Sequence, residues 1–270
     1  MKKSLALLMS ALMLLGMTAC GSTPAQSQSS GSASGSGKKG EVLTVGLSGD
    51  LPPFEFYAQT DGGRALVGAD VKLAEHIADE LGMELELVDM AFDGLLGSLN
   101  EGKIDLVISG MSVDPARKCL YSDPYFEAGQ ALLVPAGNEK VFASLEELMG
   151  HKIGGQMGSL QQELAETYAG KDSAQIVNNV QDMIMMVSEG KLEGMFCETV
   201  VAQSAIQKSD KVAIAELEVP SDRNLVAVCM KEGNTEMADK INPIIAEVVE
   251  QNLYGDWMTQ YLSVEEVPQA

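Results

Sequence analysis

The chain has 270 residues, 46% of them hydrophobic, and 18 Lys and Arg against 39 Asp and Glu give it a formal net charge of -21. That length allows one large domain or two small lobes, and the apolar fraction is enough for a packed core. So acidic a chain repels phosphate, which argues against nucleic acid as a partner; the charge speaks for solubility rather than for a cationic ligand.

In chain order, residues 1–20 read as a targeting segment. Lys2 and Lys3 precede an apolar run, residues 5–17, that is too short for a comfortable membrane span. Met17-Thr18-Ala19-Cys20 resembles a bacterial lipobox, which implies cleavage before Cys20 and lipidation of its thiol and new amino group; plain secretion is the alternative. Residues 21–40 are Ser, Gly, Ala and Gln with Lys38-Lys39, a flexible linker with a mean reach of roughly 25 Å. Gly35-Ser36-Gly37-Lys38-Lys39 lacks the spacing and the Ser/Thr of a phosphate loop, and no strand precedes it.

From residue 41 the pattern alternates strand and helix. Strands are expected at 42–47 and 84–88, helices at 71–81 and 92–100, with a two-proline loop at 50–56. Residues 104–108 form a short apolar run of the kind found in a parallel strand covered on both faces. Asp114-Pro115 reads as the N-cap and first residue of a further helix, with Arg117 on its first turn. Residues 130–135 read as a strand running out of a first lobe, with the chain crossing to a second near Ala136-Gly137. There, Ser144 to Glu147 and Ser159 to Gln162 form two capping boxes. Strands follow at 152–155, 175–177 and 192–196, and a helix at 180–188. Met183, Met185 and Met186 read as core filler. The chain should cross back around 219–224, and 225–230 with a long helical segment over 235–262 should complete the first lobe. The expected domains are thus 41–135 with 224–270, and 136–223.

One phrase occurs twice. Glu101-Gly102-Lys103-Ile104-Asp105 reappears as Glu189-Gly190-Lys191-Leu192-Glu193. Each phrase ends a helix at a glycine and opens a strand, the first delivering Ser109 and Gly110, the second Cys197 and Glu198. Open α/β sheets place ligands at such carboxyl ends. One lobe then offers a cation, Arg117, and the other an anion, Glu198, a pair that suits a zwitterion; the plain alternative is two surface charges. Cys119, Cys197 and Cys229 are an odd number besides Cys20, so at most one bridge forms. His76 and His151 lack ligand spacing, so no metal site and no cofactor are expected.

The stretch Ile108-Ser109-Gly110-Met111-Ser112-Val113-Asp114-Pro115-Ala116-Arg117, with Phe92-Asp93-Gly94-Leu95-Leu96 before it and Tyr121-Ser122-Asp123-Pro124-Tyr125-Phe126 after it, resembles the polar amino-acid-binding family (family 3) of ABC-importer solute-binding proteins. Pro52-Pro53-Phe54-Glu55-Phe56, Gly68-Ala69-Asp70-Val71-Lys72-Leu73-Ala74, Gln156-Met157-Gly158-Ser159 and Tyr254-Gly255-Asp256-Trp257 extend the match over about residues 41–262. The resemblance implies an α/β, two-lobe periplasmic-binding-protein-like fold (type II) with a two-crossing hinge. It implies an amino acid bound between the lobes and handed to a membrane permease by a lipid-anchored, extracytoplasmic monomer. Arg117 should hold the α-carboxylate with backbone N–H groups of Ser112 and of the helix opening at Ser159-Leu160. Glu198, usually Asp in the family, should take the α-ammonium with Ser109 and the Gly110 carbonyl. Phe92 should stack on the ligand side chain, within reach of Gln156 and Gln161.

Three departures bear on specificity. Ser48 stands where basic-amino-acid binders place an Asp, Leu51 replaces an aromatic lid, and Leu160 replaces a Thr. A buried second cation without a carboxylate is costly, so an uncharged or weakly polar amino acid is expected over Lys or Arg, with Asp50 and Glu55 near enough in sequence to serve a cationic ligand. A dehydratase-like enzyme on the same fold would use Glu198 as general acid, but no His–Ser or paired-carboxylate arrangement supports one, so no enzyme is expected. A sensor ectodomain is the other alternative, and the chain shows neither a second apolar span nor a signalling domain.

Overall fold

The computed structural model describes residues 40–267. The leader, Cys20 and the linker expected upstream lie outside the described residues.

Two five-stranded sheets share one plan. In the first, the order is Glu84–Asp89, Val42–Leu47, Leu106–Val107, Cys229–Met230, Leu120–Tyr121. The first three run parallel and Cys229–Met230 runs antiparallel to both of its neighbours. In the second, the order is Gln175–Val177, Ile153–Gln156, Gly194–Glu198, Gln130–Pro135, Val212–Ile214. Again three are parallel, and Gln130–Pro135 opposes both of its neighbours. Strands buried on both faces, such as Gln130–Pro135 and Gly194–Glu198, explain why these runs look continuous rather than alternating. The repeated phrase has a matching local geometry: Gly102 and Gly190 end their helices at φ 71 and φ 70.

Several expectations give way to longer-range pairing. Residues 130–135 do not leave the first lobe; they form an interior strand of the second sheet, paired with Gly194–Glu198 along its length. The crossing therefore falls earlier. Phe126–Glu127 pairs antiparallel with Leu225–Val226, so both connections between lobes run side by side as a two-stranded ribbon. Asp114 to Arg117 is a turn, not a helix: the Asp114 carboxylate accepts from Ala116 N–H (2.8 Å), and its carbonyl accepts from Arg117 N–H (3.1 Å). An Asp side chain that closes its own turn competes with helix propagation. The C-terminal segment is two helices, Thr235–Glu250 and Leu253–Tyr261, broken at Asn252 with φ 54. The loop expected at 50–56 is instead the start of a small sheet of Asp50–Leu51, Glu55–Thr60 and Gly63–Val67. Its hairpin turns at Asp61-Gly62, a sequence suited to a two-residue loop.

Candidate functional site

Loops from the carboxyl ends of both sheets meet at a small, tightly closed cavity, lined by Leu51, Phe92, Gly110, Ser112 and Arg117 from the first lobe and by Gln156, Ser159, Leu160, Gln161 and Glu198 from the second. A second small cavity shares Leu51, Gln156, Gln161 and Glu198 with it and adds Val180, Met183, Met195, Phe196 and Cys197. Ten of the twelve ligand contacts expected from sequence thus line one space. Ser48 and Ser109 do not. The Ser109 hydroxyl accepts from Ser48 N–H (3.0 Å) and donates to Glu55 (2.5 Å), and the Ser48 hydroxyl donates to Asp50 (2.8 Å). Both serines are spent inside the first lobe because buried Glu55 and Asp50 need donors.

Arg117 reaches the cavity from its turn. Its Nη1 donates to the Ser112 carbonyl (2.8 Å) and its Nη2 to the Gly158 carbonyl of the opposite lobe (3.1 Å). The guanidinium carbon lies 5.9 Å from the centre of the Phe92 ring. It faces carbonyls and, among the described residues, forms no ion pair, so its charge remains available to an anion. Opposite, Ser159 caps the helix Leu160–Tyr168, accepting from the N–H groups of Gln161 (3.1 Å) and Gln162 (3.3 Å). Gln162 completes a shifted capping box by accepting from Gly158 N–H rather than from Ser159 (2.8 Å). A helix N-terminus with first-turn N–H groups beside a guanidinium is an anion site.

Glu198 ends the strand Gly194–Glu198 and stands at the N-cap of the helix Thr199–Lys208 without capping it through its side chain. Its carboxylate accepts instead from Gln161 Nε2 (2.7 Å), an amide that also donates to Gln130 (2.9 Å). Burial pushes the Glu198 carboxyl up to about 7, partly offset by backbone and Gln161 hydrogen bonds. A buried carboxylate with no cation is a high-energy group, and an ammonium would relieve it. Gln130 is a contact that sequence reading missed; its one signal was a polar residue opening an otherwise apolar strand.

Beneath the site, Asp70 gathers three donors: Gly110 N–H (2.6 Å), Tyr125 hydroxyl (3.0 Å) and Tyr254 hydroxyl (2.6 Å). This fixes the loop that brings Gly110 and Ser112 to the cavity. Burial, with the adjoining Asp70 charge, holds Glu55 well above the usual carboxylate range. Contacts across the lobes describe a closed cleft. The Asp50 carboxylate accepts from Val180 N–H at the start of the helix Val180–Ser188 (2.7 Å), and its carbonyl accepts from Gln181 Nε2 (3.0 Å). Arg223 bridges Asp114 (2.9 Å) and Glu163 (2.6 Å). Gly158, at φ 77, lies so near Asp93 that a Cβ there would stand 3.2 Å from the Asp93 Cα.

Two α/β lobes joined by a double crossing, with an unpaired cation and a buried carboxylate facing one closed cavity, define a type II binding protein for a small zwitterion. The chain belongs to the bacterial extracellular solute-binding proteins, family 3, whose model matches residues 43–264. It is 31% identical to the arginine-binding extracellular protein ArtP of Bacillus subtilis (strain 168), over 96% of this chain and 99% of that one. The amino acid ABC transporter substrate-binding protein AbpA of Streptococcus pneumoniae, bound to L-arginine, matches with a TM-score of 0.79 and 30% identity, over 83% of this chain and 97% of that one. An ancestral arginine-binding protein bound to glutamine matches at 0.73 and 32%, over 82% and 97%. The protein is accordingly an extracytoplasmic, amino-acid-binding component of an ABC transporter. Among the described residues no helix is long and apolar enough to cross a membrane.

Proposed function

We propose that this chain captures one L-α-amino acid between its lobes, with Arg117 and the Leu160 N–H on the α-carboxylate and Glu198 on the α-ammonium. The observation that carries this is the Arg117 and Glu198 pair on opposite walls of one cavity, neither of them neutralised by a counter-ion among the described residues. Closure then removes water from both charges and strengthens each interaction. The closed form is presented to a permease, and a lipid at Cys20 keeps the protein at the membrane as a monomer without catalytic activity.

Within that class the lining favours an uncharged polar side chain. Among the described residues Glu198 is the one carboxylate lining either cavity, and the α-ammonium occupies it. The rest of the wall is Leu51, Phe92, Gln156, Gln161, Val180, Met183 and Met195, which offers amide hydrogen bonds and apolar contact but no second anion. Arginine is the second reading. Asp50, bonded at Val180 on the cavity margin, is a carboxylate that a guanidinium could recruit, and relatives at about 30% identity carry arginine in their names. Calorimetric titration with glutamine and arginine decides between them. Tighter glutamine binding supports the first; arginine binding that Asp50→Ala weakens tenfold or more beyond its effect on glutamine supports the second; heat from none of the twenty amino acids overturns the proposed contacts.

A further inference from the structure

The first lobe holds a sulfur cluster that ligand binding does not use. Cys229 lies in the strand Cys229–Met230 and is fully buried; its sulfur lies 3.2 Å from the thioether of Met111. Cys119, half-buried, precedes the adjoining strand Leu120–Tyr121, near enough to Cys229 for each thiol to shift the acidity of the other. The register pairs Cys229 with Tyr121, two residues from Cys119, which puts the two cysteines diagonally on one face of the ladder. Solvent reaches Cys119 and not Cys229, so one thiol is open to an oxidant and the other waits behind it.

We propose that Cys119 and Cys229 are a redox-active dithiol that closes to a disulfide and thereby fixes the turn bearing Arg117. The oxidant is hydrogen peroxide. Cys119 gives up its proton and the thiolate attacks one peroxide oxygen: an S–O bond forms, the O–O bond breaks, and the departing hydroxide takes up the released proton and leaves as water. The Cys229 sulfur then attacks the Cys119 sulfenic acid: the S–S bond forms, the S–O bond breaks, and a second water leaves with the Cys229 proton. Two thiols and one peroxide become one disulfide and two waters. Cys119 suits the first step, because the hydrogen bond from Cys229, the Tyr121 hydroxyl and the Arg117 charge bring its thiol down to about 7.

The link to the turn is short. Cys119 N–H donates to the Arg117 carbonyl (3.1 Å), and Tyr121 exchanges hydrogen bonds with the backbone of Asp114 (3.2 and 3.4 Å). From the other side, Met111 packs on Cys229 while Ser112 holds the Arg117 guanidinium. A bridge therefore pins both ends of the segment that aims Arg117. Cys197 is an internal control, since burial pushes its thiol up and away from reactivity.

The test treats the full chain with a few equivalents of hydrogen peroxide, blocks remaining thiols, and maps peptides by mass spectrometry. The expected result is a Cys119–Cys229 cross-link, with Cys197 blocked only after denaturation, and slower amide exchange across residues 115–119. Cys119→Ser and Cys229→Ser should each abolish the cross-link while leaving Cys197 protected, which shows that the variants fold. Sulfinic acid at Cys119 with Cys229 still alkylatable overturns the dithiol. A cross-link with unchanged exchange at 115–119 overturns the coupling to Arg117. Neither readout involves an amino acid, so both stand or fall apart from the ligand assignment.

Discussion

Replacing Glu198 by Gln keeps the shape of the side chain and an acceptor for Gln161 but removes the charge that meets the ammonium. Truncating one partner of a buried, hydrogen-bonded charge pair costs about 2–5 kcal/mol. Because the amide retains one acceptor, the lower half applies, about 2–3 kcal/mol, or roughly 30- to 150-fold in Kd. The same residue sets a pH dependence. In the empty closed cleft Glu198 titrates at about 7, because burial disfavours its charge. A bound ammonium favours the ionised form, so closing on the ligand expels a proton below pH 7. Affinity should therefore fall as pH drops from 7, by up to about tenfold per unit. Calorimetry at pH 8 and pH 5.5 in buffers of differing ionisation enthalpy reads both effects. A Glu198→Gln protein that binds within threefold of the parent at pH 8, or that keeps the acid weakening, refutes the ammonium contact.

Other outcomes follow from the same contacts. Arg117→Ala should weaken binding by about 2–5 kcal/mol, with Arg117→Lys recovering only part of it because an ammonium cannot reproduce the bidentate fork; equilibrium dialysis with labelled ligand reads the difference. Asp50→Ala leaves the buried Val180 N–H without its carboxylate acceptor while keeping the backbone carbonyl that Gln181 uses, so closure should lose about 1–3 kcal/mol, seen by small-angle scattering as a larger ligand-bound radius. Tyr254→Phe removes one of three donors to Asp70 and should lower stability by about 1–3 kcal/mol in urea unfolding. Without ligand, Glu198 and Asp50 have native values of about 7 and about 6, raised by burial above their unfolded values. The native state thus binds more protons through that window, and stability should fall as pH rises from about 5 to 7, by up to about 1.4 kcal/mol per unit for each group; Glu198→Gln should flatten the slope.

The walls of the site were legible because they hang on local signals. A glycine that ends a helix, a short apolar strand and polar residues at its end specify where Gly110, Ser112 and Glu198 emerge, whatever the strand pairs with. Ser159 announces a helix start through its own hydroxyl, which made Leu160 and Gln161 readable. What failed depended on distant partners. Gln130–Pro135 looks like any buried strand, and only its pairing with Gly194–Glu198 assigns it to the second lobe. Ser109 was expected at the ligand, yet its hydroxyl belongs to Glu55, fifty-four residues away, whose burial no local pattern reveals. The Asp114 turn imitates a helix start because the same carboxylate can serve either geometry. The Asp61-Gly62 hairpin was open to detection by its turn residues and was passed over.

Gly158 gives the cleft its final width. Where this residue meets Asp93, a Cβ would stand 3.2 Å from two of its carbon atoms, a contact that needs a few tenths of an ångström of give. A lone methyl group there, on a backbone held at φ 77, would strain the shut jaws while touching none of the groups that recognise the occupant. Holding a nutrient and shutting over it thus draw on different atoms, and in this chain the second is eased by an absent side chain.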